Sequence, residues 1–282
     1  MGRIGVTSPN SPTTEAGAIR RIPALAVSLL AVILTGAVVH AQSQRDLTER
    51  RAVAVTAPGE FQFARLAYSA NRYGRGRGGY YGRREVWQTD WPDAEHHFTN
   101  GVTRLTRIDA ARQGHILSAL DENIFDYPWI YAVEVGYWHL NDREADNLRE
   151  YLLRGGFLMV DDFHGTFEWA GFLASMERVF PDRQIIDIPE DDAAFHVVYD
   201  LDHRIQIPSR MYSYTGRTWE KDGYNPHWRG IYDDDGRLMV AINHNMDIGD
   251  AWEHADWPDY PENMTALAYR FGINYLVYAM TH

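Results

Sequence analysis

The chain reads as an α/β domain with a mostly parallel sheet, and three observations predict this. Residues 130–160 form a strand–helix–Gly-Gly–strand unit, the pattern of a βαβ crossover. Phe157-Leu158-Met159-Val160 and Leu238-Met239-Val240-Ala241-Ile242 are short, wholly apolar runs, as expected of strands buried on both faces of a parallel sheet. The chain has 282 residues, is 45% hydrophobic and 23% charged, and so is composed like a globular protein.

The first 41 residues stand apart from that domain. Arg20-Arg21 precede an apolar run, Ile22 to Val39, that leads to Val39-His40-Ala41. A basic start, an apolar middle and a small-residue exit describe a signal peptide cleaved near Ala41 and a periplasmic or secreted product. The run is also about the shortest that spans a bilayer, so an uncleaved inner-membrane anchor is the alternative, with residues 22–39 as the only membrane contact. Residues 42–58 are polar and read as a linker, leaving 59–282 as a single domain. Removing residues 1–41 leaves 24 basic and 38 acidic residues, a net charge of −14, which argues against general nucleic-acid binding. A cationic ligand, a metal ion or a neutral polymer is compatible with that charge. The chain has no cysteine, which excludes disulfides, thiolate metal sites and a cysteine nucleophile.

The elements follow in order. Phe61 to Leu66 alternates and reads as the first strand. Residues 72–84 carry five arginines among closely spaced glycines and read as a solvated loop. Ile130 to Val135 is a strand. Asn141-Asp142 caps a helix over 143–153, with Ala145, Leu148, Leu152 and Leu153 inward and Gly155-Gly156 stopping it. A second helix covers 167–179, with Phe172, Met176 and Phe180 inward, and Ile185 to Ile188 is a further strand. Residues 190–235 read as an irregular elaboration, and a largely apolar helix over 262–279 closes the chain.

Two buried strands end in polar clusters. Asp161-Asp162-Phe163-His164 follows Val160, and Asn243-His244-Asn245-Met246-Asp247-Ile248-Gly249-Asp250 follows Ile242, with Trp252 and Glu253 beyond. Ligands of open parallel sheets bind at the carboxyl ends of strands, so neighbouring strands would bring these groups into one crevice. Asp162, His164, His244, Asp247 and Asp250 are the candidate catalytic residues, and Asp161, Asn245, Trp252 and Glu253 the candidate substrate contacts. His164, His244, Asp162 and Asp247 are the residue types that hold a divalent metal, and the same groups serve acid–base chemistry without one. Asp161 or Asp162 as a helix cap, and Asp247 and Asp250 as turn formers, are the structural alternatives. Trp87, Trp91, Trp219, Trp228, Trp252 and Trp257 lie in irregular segments, where they either stack on sugars or pack loops against the sheet. No nucleophile elbow, Walker motif or dinucleotide fingerprint is present.

The stretch Arg154 to Gly165 resembles a family of bacterial proteins defined as domain of unknown function 4159. So do Gly236 to Val240, Asn243 to Glu253, and Arg270 to Tyr275 with Thr281-His282. The resemblance covers roughly residues 59–282. It implies a flavodoxin-like three-layer sandwich of the class I glutamine amidotransferase type. It imports no reaction, since those amidotransferases use a cysteine that this chain lacks. Asp192-Ala193-Ala194-Phe195-His196 departs from an Asp-His-Pro-like step in relatives. Two functions remain open: a hydrolase or ligand-binding domain acting on a small polar or carbohydrate-like molecule, and a non-catalytic binding or assembly domain of the cell envelope.

Overall fold

The computed structural model describes residues 60–74 and 85–282, together with Gly2. The apolar run, the linker and most of the Gly/Arg loop lie outside the described residues. Nine strands are present among them: β1 Ala64–Ala67, β2 Ser69–Ala70, β3 His115–Ser118, β4 Trp129–Val133, β5 Trp138–His139, β6 Phe157–Asp161, β7 Ile186–Asp187, β8 His227–Tyr232 and β9 Leu238–His244. The helices are α1 Asp93–Leu105, α2 Asp142–Leu153, α3 Gly165–Val179, α4 Tyr212–Thr215, α5 Ile248–Glu253 and α6 Glu262–Thr281.

Seven strands make one sheet in the order β3-β1-β4-β6-β9-β8-β7, and β2 pairs with β5 separately. The first five run parallel; β8 is antiparallel to β9, and β7 to β8. The side-chain alternation of each central strand serves two cores. Ile130, Ala132, Leu158, Val160 and Ile242 point to one face, where α2 and α3 supply Leu148, Leu152, Phe172 and Met176. Trp129, Tyr131, Phe157, Met159 and Ala241 point to the other, against Phe98 of α1, Trp252 of α5 and Phe271 and Tyr275 of α6. Strands apolar on both faces therefore sit between two helical layers. Among the described residues no helix is long and apolar enough to cross a membrane.

The βαβ unit forms as its sequence predicts. Asn141 Oδ1 accepts from the Arg143 and Glu144 amides at 3.0 and 3.1 Å, and Glu144 Oε2 accepts from the Asn141 amide at 2.9 Å, a reciprocal cap. Gly155 takes φ +110°, which ends α2 without a Cβ penalty.

Several elements differ from the sequence reading. The first strand begins at Ala64, with Phe61 making only an isolated bridge to Ala110. Leu153 is exposed, and Tyr151 turns inward instead, its hydroxyl accepting from the Phe157 amide at 3.2 Å. The 185–188 strand shrinks to a two-residue edge pair. Helix α1 and strands β3 and β8 were not anticipated. In α1 the stripe Ala94, Phe98, Val102 is interrupted by Asn100-Gly101, and Gly101 is where the Tyr269 ring lies. In β8, Arg229 and Gly230 break the apolar pattern of what had read as irregular chain.

Candidate functional site

The chain passes from β1 to β3 on one side and then to β4 on the other, so the strand order reverses at β1/β4. That reversal opens the loops at the carboxyl ends of the strands, where open α/β sheets bind ligands. The Tyr68 hydroxyl bridges the seam, donating toward the Val133 and Glu134 carbonyls at 2.6 and 2.9 Å.

Three loops converge beside it. Asp90 precedes α1, Asp162 follows β6, and Asp247 precedes α5. One carboxylate oxygen of each lies within 4.8 Å of the other two. The residues are 7%, 7% and 3% exposed, and Asp90 Oδ2 has no hydrogen-bond partner. His164 Nε2 stands 3.3 Å from Asp162 Oδ1, so the imidazole backs that carboxylate. Asp247 Oδ1 accepts from the Asp250 amide at 2.8 Å and caps α5. Gly249 leaves the room the trio uses, because a Cβ there would collide with Asp90 Oδ2 and the Tyr131 hydroxyl.

The backbone around the site is strained. All five non-glycine residues with positive φ are Asp90, Glu134, Asp162, Lys221 and Asn245, among the described residues. Asp90, Glu134, Asp162 and Asn245 sit on the strand-end loops. Lys221 reaches in from the 216–225 segment to pair with Glu168, whose Oε2 accepts from the His164 amide at 2.6 Å. Left-handed backbone at non-glycine positions concentrates where function over-determines a structure.

Burial and mutual repulsion govern the charges. Burial first, then the charges of Asp250 and Asp162, hold the Asp90 carboxyl well above its usual range, with Arg65 pulling the other way. Burial and then Asp162, Asp250 and Asp90 do the same to Asp247. Burial and then Glu220 and Asp161 do so for Asp162, with Lys221 opposing. Arg65 lies nearby, but its hydrogen bonds go to Glu95 and to the Trp87 and Thr89 carbonyls. Three crowded carboxylates are thus accommodated together only if protons or a cation offset their negative charge. An all-oxygen set of this kind suits a hard ion such as Mg²⁺, Ca²⁺ or Mn²⁺.

The other residues singled out in the sequence take different places. Asp161 Oδ2 accepts from the Ile248 and Gly249 amides at 2.7 and 2.9 Å and from Tyr131 at 3.1 Å, so it anchors α5. Burial pushes the Asp161 carboxyl up to about 7 against those donors. Asp250, Glu253 and His254 form a second group with atoms within 4.8 Å. Burial raises the Asp250 carboxyl, but His254 and the Arg210 amide more than offset this and it settles below its usual value. Asn245 Oδ1 accepts from the Gly165 amide at 2.8 Å. Trp252 is enclosed by Phe63, Phe98 and Tyr131 and offers no face to a ligand. His244 is not brought to the trio. It packs on Phe163 and Trp169 with Nε2 3.2 Å from the Gly165 carbonyl, and burial lowers its pKa to about 3.

Sequence reasoning missed Asp90, Glu134, Glu168 and His254. Glu134 follows β4 directly, so the strand-end rule that flagged Asp161 would have found it. Asp90 lies in a turn with no apolar pattern to place it.

No curated protein matches the chain. A family model described as Domain of unknown function (DUF4159) matches residues 62–280. That match spans the whole sheet, both helical layers and every residue of the carboxylate trio, and the chain belongs to this family.

Proposed function

We propose that the protein binds a divalent cation through Asp90, Asp162 and Asp247, and that the loaded site hydrolyses a small polar substrate outside the cytoplasm. The observation that carries this reading is the buried trio itself, with Asp90 Oδ2 unpartnered in its midst. A bound cation would supply Lewis-acid polarisation of a substrate oxygen or an acidified water. Asp162 is steadied by His164, Asp247 is held by its cap on α5, and Asp90 lies over Gly249, so the three donors are fixed by different loops. The parallel strand order and two helical layers support the finer assignment to a class I glutamine amidotransferase-like, flavodoxin-like sandwich, and the sequence without cysteine offers no thiol for glutaminase chemistry. The basic pair, apolar run and small-residue exit at 20–41 support export.

The test uses the full chain stripped with EDTA and titrated with Mg²⁺, Ca²⁺ or Mn²⁺. Calorimetry should show one cation bound, and Asp247→Asn should abolish binding. Wild-type protein that ignores all three ions, or a variant that binds as tightly, overturns the reading. The near-complete burial of the trio favours a second reading, in which the cation only ties the loops together. Turnover of chromogenic phosphate esters, carboxylate esters and glycosides separates the two: the first requires cation-dependent hydrolysis lost in Asp247→Asn, the second binding with no turnover.

A further inference from the structure

We propose that the groove between α3 and the β2–β5 ribbon binds an amphipathic organic anion, an apolar body carrying one carboxylate, sulfonate or phosphate group. This goes beyond the cation reading, and the groove shares no residue with the trio. Its volume is about 590 Å³, inside the roughly 300–1,000 Å³ of ordinary ligand pockets, and it opens to solvent.

One wall is the outward face of α3. Phe167, Ala170, Gly171, Ala174 and Arg178 recur at helical spacing along it, and all but Gly171 are exposed. The facing wall comes from the ribbon and the turn after β2. Asn71 Oδ1 accepts from the Tyr73 and Gly74 amides at 2.9 and 3.1 Å, a turn that holds Arg72 and Tyr73 on the groove. The Asn71 amide donates to the Tyr137 carbonyl at 2.7 Å, and Trp138 Nε1 donates to the Phe172 carbonyl of α3 at 3.2 Å. Turn, ribbon and helix are thereby fixed to one another. Gly171 brings the two walls together backbone to backbone, since a Cβ there would lie 2.0 Å from the Gly136 carbonyl oxygen.

Charge and surface together name the ligand class. The chain carries a net charge of −12, yet this groove is lined by Arg72, Arg178 and His139 and by no carboxylate. The Arg72 guanidinium lies 4.5 Å from the centre of the Tyr73 ring and donates to the Tyr73 hydroxyl. Among the described residues no carboxylate pairs with it, whereas Arg178 already faces Asp142 at 2.8 Å. The positive charge left to a ligand therefore stands at the Arg72 end. The 5.1 Å edge contact of Tyr73 with Phe167 puts that end at the first turn of α3, about 16 Å along the helix from Arg178. Tyr73 and Phe167 are 47% and 55% exposed, and with Ala170 and Ala174 they offer apolar surface beside the charge. An anionic head on Arg72, with its apolar body along Phe167, Ala170 and Ala174, answers both features. A neutral apolar molecule would leave the arginine unused, and a cation would be repelled by it.

The test titrates the full chain with 8-anilinonaphthalene-1-sulfonate and with its uncharged parent, N-phenyl-1-naphthylamine, following fluorescence and calorimetric stoichiometry. EDTA is present throughout, which keeps the outcome separate from the fate of the cation site. The sulfonate should saturate one site per chain and bind more tightly than the parent. Arg72→Gln, at an exposed position, should weaken the sulfonate roughly tenfold, the worth of one charge-assisted hydrogen bond, and leave the parent unchanged. Ala174→Leu places a strong helix former at an exposed helical position and fills the groove. Both probes should be lost from it while circular dichroism and the urea midpoint stay as in the wild type. Absence of saturable sulfonate binding overturns the proposal. So does equal affinity for the two probes, or sulfonate binding that survives either substitution intact. A dimer that Ala174→Leu dissociates, with no sulfonate bound, would assign the groove to a second copy of the chain and overturn it as well.

Discussion

Glycine ordinarily takes left-handed backbone, yet Asp90 and Asp162 hold it at φ 61° and 50° in the middle of the carboxylate trio. Each such residue costs about 1–2 kcal/mol relative to an unstrained conformation. Asp90→Gly would relax that backbone and remove a buried like charge, while the Asp90 carbonyl still accepts from Ala94. Its stability in EDTA is expected to match or exceed the wild type by about 1 kcal/mol, with cation binding lost. Urea unfolding with and without Ca²⁺ measures both; a destabilised variant that still binds would sink the assignment. His244 gives a second expectation. Burial lowers its folded pKa from 6.5 to about 3, so between those values unfolding takes up a proton and stability falls as pH drops. Above pH 6.5 this contribution is fully present. In His244→Phe the slope should flatten by at most about 1.4 kcal/mol per pH unit. Parallel urea series at pH 7 and pH 5 would show it, and identical slopes would refute it.

At the scale of elements, the α2 cap is the clearest local determinant. Asn141→Ala removes the acceptor for two amides and should cost about 1 kcal/mol, read as a lower urea midpoint at unchanged slope. This cap, the Gly155 stop and the apolar β6 were legible because each depends on a few adjacent residues. The polar ends of β6 and β9 were legible for the same reason, and the register of Val160 opposite Ile242 makes those strands neighbours. Other features depend on distant partners. Alternation along β9 puts His244 on the face of Val240 and Ile242, toward α3, but the sequence does not reveal which way the Asp162 loop turns. Helix α1 was hidden because Gly101, which weakens a helix pattern, is required there by the Tyr269 ring from α6. Two of the six tryptophans conspicuous in the sequence, Trp87 and Trp252, are buried packing residues.

For the whole molecule, a cation that binds only the folded chain stabilises it by mass action. At a hundredfold excess over Kd this is about 2.7 kcal/mol, a rise in Tm of roughly 5–10 °C for a domain of this size. Scanning calorimetry should show that rise in the wild type and none in Asp247→Asn. The donors come from the beginning, middle and end of the domain: Asp90 ahead of α1, Asp162 after the central β6, Asp247 after β9. None has a carboxylate partner of the trio close in sequence. The long loops between them must close, and β9 must insert beside β6, before any two can meet. Non-local pairing of this kind forms late and slowly. Ion uptake during refolding would therefore act as a chronometer for the last step of assembly, lagging behind the recovery of helix and remaining absent from any fragment that stops short of β9.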